Sequence, residues 1–139
     1  MKNRTKEMNE LRSIVISEMT EKVRFILSRS ESEGLQWKGT KTDLVELLHE
    51  VYYHCGITME DGSYATFTYL VERAFSVFGM TPPRNPRARA VRAESRKGMR
   101  RASLVRRMEN VLAGPDGRKA LERMMGEWVV RCQVSVMSC

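Results

Sequence analysis

The stretch Thr40-Lys41-Thr42-Asp43-Leu44-Val45-Glu46-Leu47-Leu48-His49-Glu50-Val51-Tyr52-Tyr53-His54-Cys55-Gly56 sets Leu44, Leu47, Leu48, Val51, Tyr52 and Cys55 on the three- and four-residue spacing of one helix face. Thr40 has the hydroxyl of an N-cap, and Asp43 follows three residues later, where a carboxylate faces exposed amides. Gly56 is the expected stop. A core-facing helix therefore occupies the middle of the chain.

Working outward, Leu11, Ile14, Val15, Met19, Val23, Ile26 and Leu27 make a similar stripe and predict a helix over about residues 4–29. The run Ser30–Gly34 breaks it as a polar linker, and Leu35-Gln36-Trp37 reads as a short extended segment. On the other side, Asp61-Gly62 marks a turn and Ser63 is the expected cap of a third helix. That helix carries Phe67, Leu70, Val71, Ala74, Phe75 and Phe78, and ends at Gly79 before Pro82-Pro83. Asn85-Pro86 opens a fourth, expected to run to Lys97 with a thin apolar stripe of Ala88, Val91 and Ser95. Gly98 breaks it. Leu104, Met108, Val111 and Leu112 predict a fifth helix, and Leu121, Met124, Met125, Trp128, Val129 and Cys132 a sixth over about 117–133. The expected class is mostly α, a helix-turn-helix or winged-helix-like domain with flanking helices. Residues 1–33 read as an N-terminal helix and linker, 34–113 as the central domain, and 114–139 as a C-terminal amphipathic helix and tail.

Charge is concentrated in one place. Between Arg84 and Arg107 stand ten basic residues, nine of them arginine, against the single acid Glu94. This segment carries +9, which leaves −2 for the rest of a chain whose total is +7. A solvated helix face normally mixes both signs at helical spacing. One-signed arginine, with its planar fork of donors, suits phosphate oxygens and base edges. The candidate DNA-binding residues are Arg84, Arg87, Arg89, Arg92, Arg96, Lys97, Arg100 and Arg101.

Other chemistry is not called for. There is no phosphate-binding glycine loop and no HExxH motif, and nothing asks for a metal or cofactor. His49 and His54, five residues apart, fall on different helix faces; His49, beside the apolar stripe, reads as an interface or solvent histidine. Three cysteines without a CxxC pair indicate neither a disulfide framework nor a zinc site, with Cys55 and Cys132 read as core thiols. No run approaches the roughly 18 apolar residues that span a bilayer, and the polar start from Met1 to Leu11 has no signal core, so a cytoplasmic protein is expected.

The residues Leu35-Gln36-Trp37-Lys38-Gly39-Thr40-Lys41-Thr42-Asp43-Leu44-Val45-Glu46-Leu47 closely resemble the signature of RteC-type proteins, regulators associated with conjugative transposons of anaerobic gut bacteria. The resemblance continues more loosely to about residue 113, through the third helix, Arg96-Lys97 and Ala102-Ser103-Leu104. The chain departs from that pattern in its reduced N-terminal part, and in a Pro86–Lys97 segment rich in arginine and alanine and without aromatic residues. The resemblance implies a helical DNA-binding domain that controls excision or transfer genes. Joined to the charge, it predicts a non-enzymatic protein whose Pro86–Lys97 helix enters the major groove. Arg87, Arg89 and Arg92 would lie near base edges, and Arg96, Lys97, Arg100 and Arg101 on phosphates. The outer helices would complete the core or form a homodimer interface. The rival expectation is an accessory module that binds an acidic protein. RNA is disfavoured because Trp37, Phe67, Phe75 and Phe78 fall on core faces. Membrane-surface binding is disfavoured for want of a broad apolar face in the basic segment.

Overall fold

The apolar stripes become six helices and one short strand pair in the computed structural model, which describes residues 2–95 and 102–131, with side chains from residue 6 onward. In chain order these are α1 (Lys2–Leu27), β1 (Leu35–Trp37), α2 (Lys41–Tyr53), α3 (Phe67–Val77), α4 (Pro86–Glu94), α5 (Leu104–Ala113), α6 (Gly117–Gly126) and β2 (Val129–Arg131). The protein is mostly helical.

One apolar core draws on nearly all of these elements. Val15, Met19, Val23 and Ile26 of α1 are buried with Leu44, Leu47, Leu48 and Val51 of α2, Leu70 and Phe75 of α3, Leu104 and Met108 of α5, and Leu121 of α6. Side chains such as Leu47 and Phe75, fully excluded from water, each contribute about 1.5–3 kcal/mol by burial. The outer helices α1 and α6 thus complete the core. The open carbonyls at the end of α1 are met from α3, where Arg73 Nη2 donates to Leu27 O at 3.3 Å and Arg29 O at 2.7 Å.

The segment before α2 is fastened by the residues that stand out in its sequence. Trp37 Nε1 donates to Thr40 O (2.9 Å), and Thr40 Oγ1 accepts the amide of Asp43 (3.0 Å), so strand and helix cap are tied together. The indole lies flat against Gly39, where an added Cβ would come within 3.0 Å of the ring. Only glycine fits there without moving the tryptophan. Trp37 also packs on Phe78 and Trp128, with ring centroids 5.9 and 5.4 Å away.

Several expectations need correction. The sixth helix stops at Gly126, and Val129–Arg131 is a strand, antiparallel to β1 with Leu35 opposite Arg131 and Trp37 opposite Val129. The β-branched pair Val129-Val130 favours that conformation once β1 offers an edge. Residues 132 and 133, included in the expected helix, lie outside the described residues. Thr66, not Ser63, caps α3, its Oγ1 accepting from Tyr69 N at 3.1 Å. Ser63 instead donates its hydroxyl to Asp61 Oδ1 (2.6 Å) within a tight loop closed by a bridge between Thr58 and Tyr64. Asp61 is held below the ordinary carboxyl range by that hydroxyl and by the Ser63 amide.

Cys55 is not a core thiol. α2 ends at Tyr53, and Cys55 is exposed in the left-handed region at φ 53°. Its amide bonds Tyr52 O (3.0 Å) while that of Gly56 bonds Val51 O (2.9 Å), a Schellman ending. The same pair of bonds ends α3, but there the left-handed residue is Gly79. At α2 the glycine falls one place later for another reason: a Cβ on Gly56 would meet Thr20 Cγ2 at 2.9 Å and Val51 Cγ1 at 3.0 Å. Gly56 serves close packing of α1 on α2. Among the described residues no helix is long and apolar enough to cross a membrane.

Candidate nucleic-acid interface

Asn85 and Pro86 start α4 as their chemistry dictates: Asn85 Oδ1 accepts the Ala88 amide at 3.2 Å, and proline occupies the first turn, where no donor is needed. The helix runs to Glu94 with Ser95 as its cap; residues 96 and 97, included in the expected helix, lie outside the described residues. Its buried face differs from expectation. Ala90 and Ala93 are fully buried, whereas Val91 is 49% exposed and Ser95 is exposed. Methyl groups at these two positions let the α4 backbone approach α2, its principal neighbour.

Two alanines supply little apolar area, and polar and aromatic contacts along both flanks of the buried face add to the docking. On one flank His49 Nδ1 and Glu94 Oε1 are 2.6 Å apart, so the lone acid of the basic segment faces α2. The His49 ring stands edge-on to Phe67 at 5.2 Å. The Arg87 guanidinium lies over Tyr52 and Phe67, 5.6 and 5.4 Å from the ring centres. On the other flank Arg89 Nη1 reaches Thr42 Oγ1 at 3.5 Å. Beside His49, burial and the negative charge of Glu94 raise the Glu50 carboxyl above its ordinary range, opposed by His54, His49 and Arg12. His54 itself pairs with Glu50 across 3.6 Å.

With this face docked, Arg92 points outward and Arg84 is exposed just before the helix cap. Arg87 is exposed beyond its aromatic seat, and Arg89 is half-buried. The three arginines expected near base edges are therefore not equivalent: Arg92 stands on the open face, while Arg87 and Arg89 flank the docked one. Arg96, Lys97, Arg100 and Arg101 lie outside the described residues.

The segment is held again where it re-enters the core. Glu46 of α2, buried, accepts the Leu104 amide through Oε2 at 2.9 Å and so meets the positive end of α5. Arg107 Nη2 lies 2.6 Å from Asp43 Oδ1, and its Nε donates to Ala102 O. Arg12 of α1 forks onto Glu109 of α5 at 3.0 and 3.2 Å, which holds the arginine above its ordinary pKa. Arg106, by contrast, is exposed.

Sequence reasoning missed two surface aromatics. Tyr53 is 72% and Tyr64 63% exposed, close to the aromatic seat of Arg87. The adjacent pair Tyr52-Tyr53 was a usable signal, since only the first falls on the apolar stripe. Among the described residues no group of three or more His, Cys, Asp or Glu side chains could hold a metal ion. No family model, curated protein or solved structure matches the chain, so its own geometry must carry the functional argument.

Proposed function

We propose that the chain is a cytoplasmic DNA-binding regulator, presenting α4 to the major groove and gripping phosphates with the arginines around it. The observation that carries this reading is the one-signed charge of Arg84–Arg107, whose only acid, Glu94, is turned towards His49 of α2. Nothing acidic within the segment is left to offset Arg84 and Arg92 on the outward side. An α-helix about 10–12 Å across fits a major groove about 12 Å wide, and the nine residues of α4 give about 13.5 Å of length to lie along it. Arg92 is the best placed of the described arginines for a base edge, and Arg84 for a flanking phosphate. Arg96, Lys97, Arg100 and Arg101 would add backbone contacts that set register without reading sequence. The resemblance of residues 35–47 to RteC-type regulators supplies the biological setting, control of excision or transfer genes of a mobile element.

Salt titration of binding to a fluorescent duplex tests the reading. With about five phosphates contacted, log K falls against log salt with a slope near −4 to −5. Absence of binding at low salt, or binding indifferent to salt, removes it. Salt-sensitive capture of an acidic protein with no duplex binding would favour the accessory-module alternative.

A further inference from the structure

Beside the α4 docking site, the end of α2 and the loop before α3 form an open hollow lined by Tyr52, Tyr53, Cys55, Tyr64, Ala65 and Thr66, with a volume of about 410 Å³. Tyr53 and Tyr64 expose most of their surface there, so two aromatic rings line one open hollow. Tyr53 is held edge-on by the His54 ring at 5.3 Å, and the backbone of Tyr64 is set by its bridge to Thr58. The third tyrosine, Tyr52, is shared with the basic helix, because Arg87 of α4 lies over it. The hollow thus borders α4 at Tyr52, over which the exposed Arg87 lies.

We infer that this hollow is a base-stacking subsite, taking an unpaired nucleobase of a strand whose phosphates run along the arginines of α4. Every base has a π-face, so exposed aromatics beside a basic track give sequence-tolerant binding of unpaired nucleotides. Helix and hollow together fit a junction between duplex and single strand better than a continuous duplex. The inference rests on the DNA-binding reading above and names the form of DNA it prefers.

The test compares a blunt duplex with the same duplex bearing a short single-stranded extension that contains 2-aminopurine. Both are titrated with the wild-type chain and with the double variant Tyr53→Leu, Tyr64→Leu. Both tyrosines are exposed, so thermal unfolding of the variant should match that of the wild type. The wild type should bind the extended DNA about 10-fold more tightly per stacked base and quench the 2-aminopurine. The variant should bind the blunt duplex like the wild type but lose both the preference and the quenching. Equal wild-type affinity for both DNAs without quenching overturns the stacking subsite and leaves duplex binding standing. Failure to bind either DNA removes both readings. A DNA-free dimer abolished by the double variant would make the hollow a self-interface and overturn the subsite.

Discussion

Arg107 reaches back 64 positions to place Nη2 2.6 Å from Oδ1 of Asp43, a carboxylate with 7% of its side chain exposed. One arginine of the basic segment is thus spent inside the molecule, tying α5 to the first turn of α2. Arg107→Ala should lower stability by about 1–3 kcal/mol, since it takes the guanidinium away from a nearly buried charge. Urea unfolding measures the loss. The salt dependence of DNA binding should stay unchanged; a reduced slope with intact stability would place Arg107 on DNA instead.

Arg92 should behave in the opposite way. Its side chain is exposed on the face of α4 turned from α2, so Arg92→Ala should leave stability within about 0.5 kcal/mol. Affinity for a selected site should fall by about 1–3 kcal/mol, with preference relaxed at one or two base pairs. Equal losses on selected and scrambled sites would mean that α4 grips the backbone and does not read sequence.

The neighbours Cys55 and Gly56 should respond with opposite signs. Cys55→Gly relieves a left-handed residue at φ 53° and should stabilise by up to about 1 kcal/mol, net of the added freedom of the unfolded chain. Gly56→Ala drives a methyl into Thr20 and Val51 and should cost about 1–3 kcal/mol. Melting temperatures of the two variants check both, and a stable Gly56→Ala would refute the close packing of α1 there.

Glu50 gives a pH signature. Burial first, then Glu94, raises its folded pKa above the 4.5 of a free carboxyl. The folded chain therefore holds this proton more tightly than the unfolded chain. Ionised Glu50 costs stability above the raised pKa, and the cost disappears as pH falls below the unperturbed value. Glu50→Gln should melt higher than the wild type at pH 7, with the gap closing towards pH 4. A variant less stable at pH 7 would mean that the pairing with His54 outweighs burial.

Local chemistry was legible in the sequence, and distant pairing was not. The stripe from Leu44 to Val51, the Thr40 cap, the stop at Gly79 and the Asn85-Pro86 start all depend on residues within a turn or two, and each stands where expected. The sequence of β2 suggests helix because Val129 and Val130 continue an apolar pattern, and their strand partner stands more than 90 residues earlier. The buried face of α4 is hidden in the sequence because alanine is too small to announce burial, and Val91, the larger side chain, draws the stripe to the wrong side. Of the candidate site, the basic segment itself was evident. The turn of Glu94 towards His49, the unequal placing of Arg87, Arg89 and Arg92, and the tyrosines beside them depend on how α4 lands on α2.

The pairing of Trp37 with Trp128 also orders events in time. Trp37 leaves the ribosome well before Trp128, whose indole packs on it and whose carbonyl takes the Lys38 amide from about 90 positions further along the chain. Until then Trp37 has Phe78 but not Trp128 against its ring, and a large aromatic beside the α2 cap stays partly open, the kind of transiently exposed apolar surface on which chaperones act. Contacts of such sequence separation form slowly, so the strand pair should close last in refolding. Stopped-flow tryptophan fluorescence would then show a phase later than helix formation by circular dichroism, and Trp128→Leu would remove that phase while the helical signal returned at its usual rate.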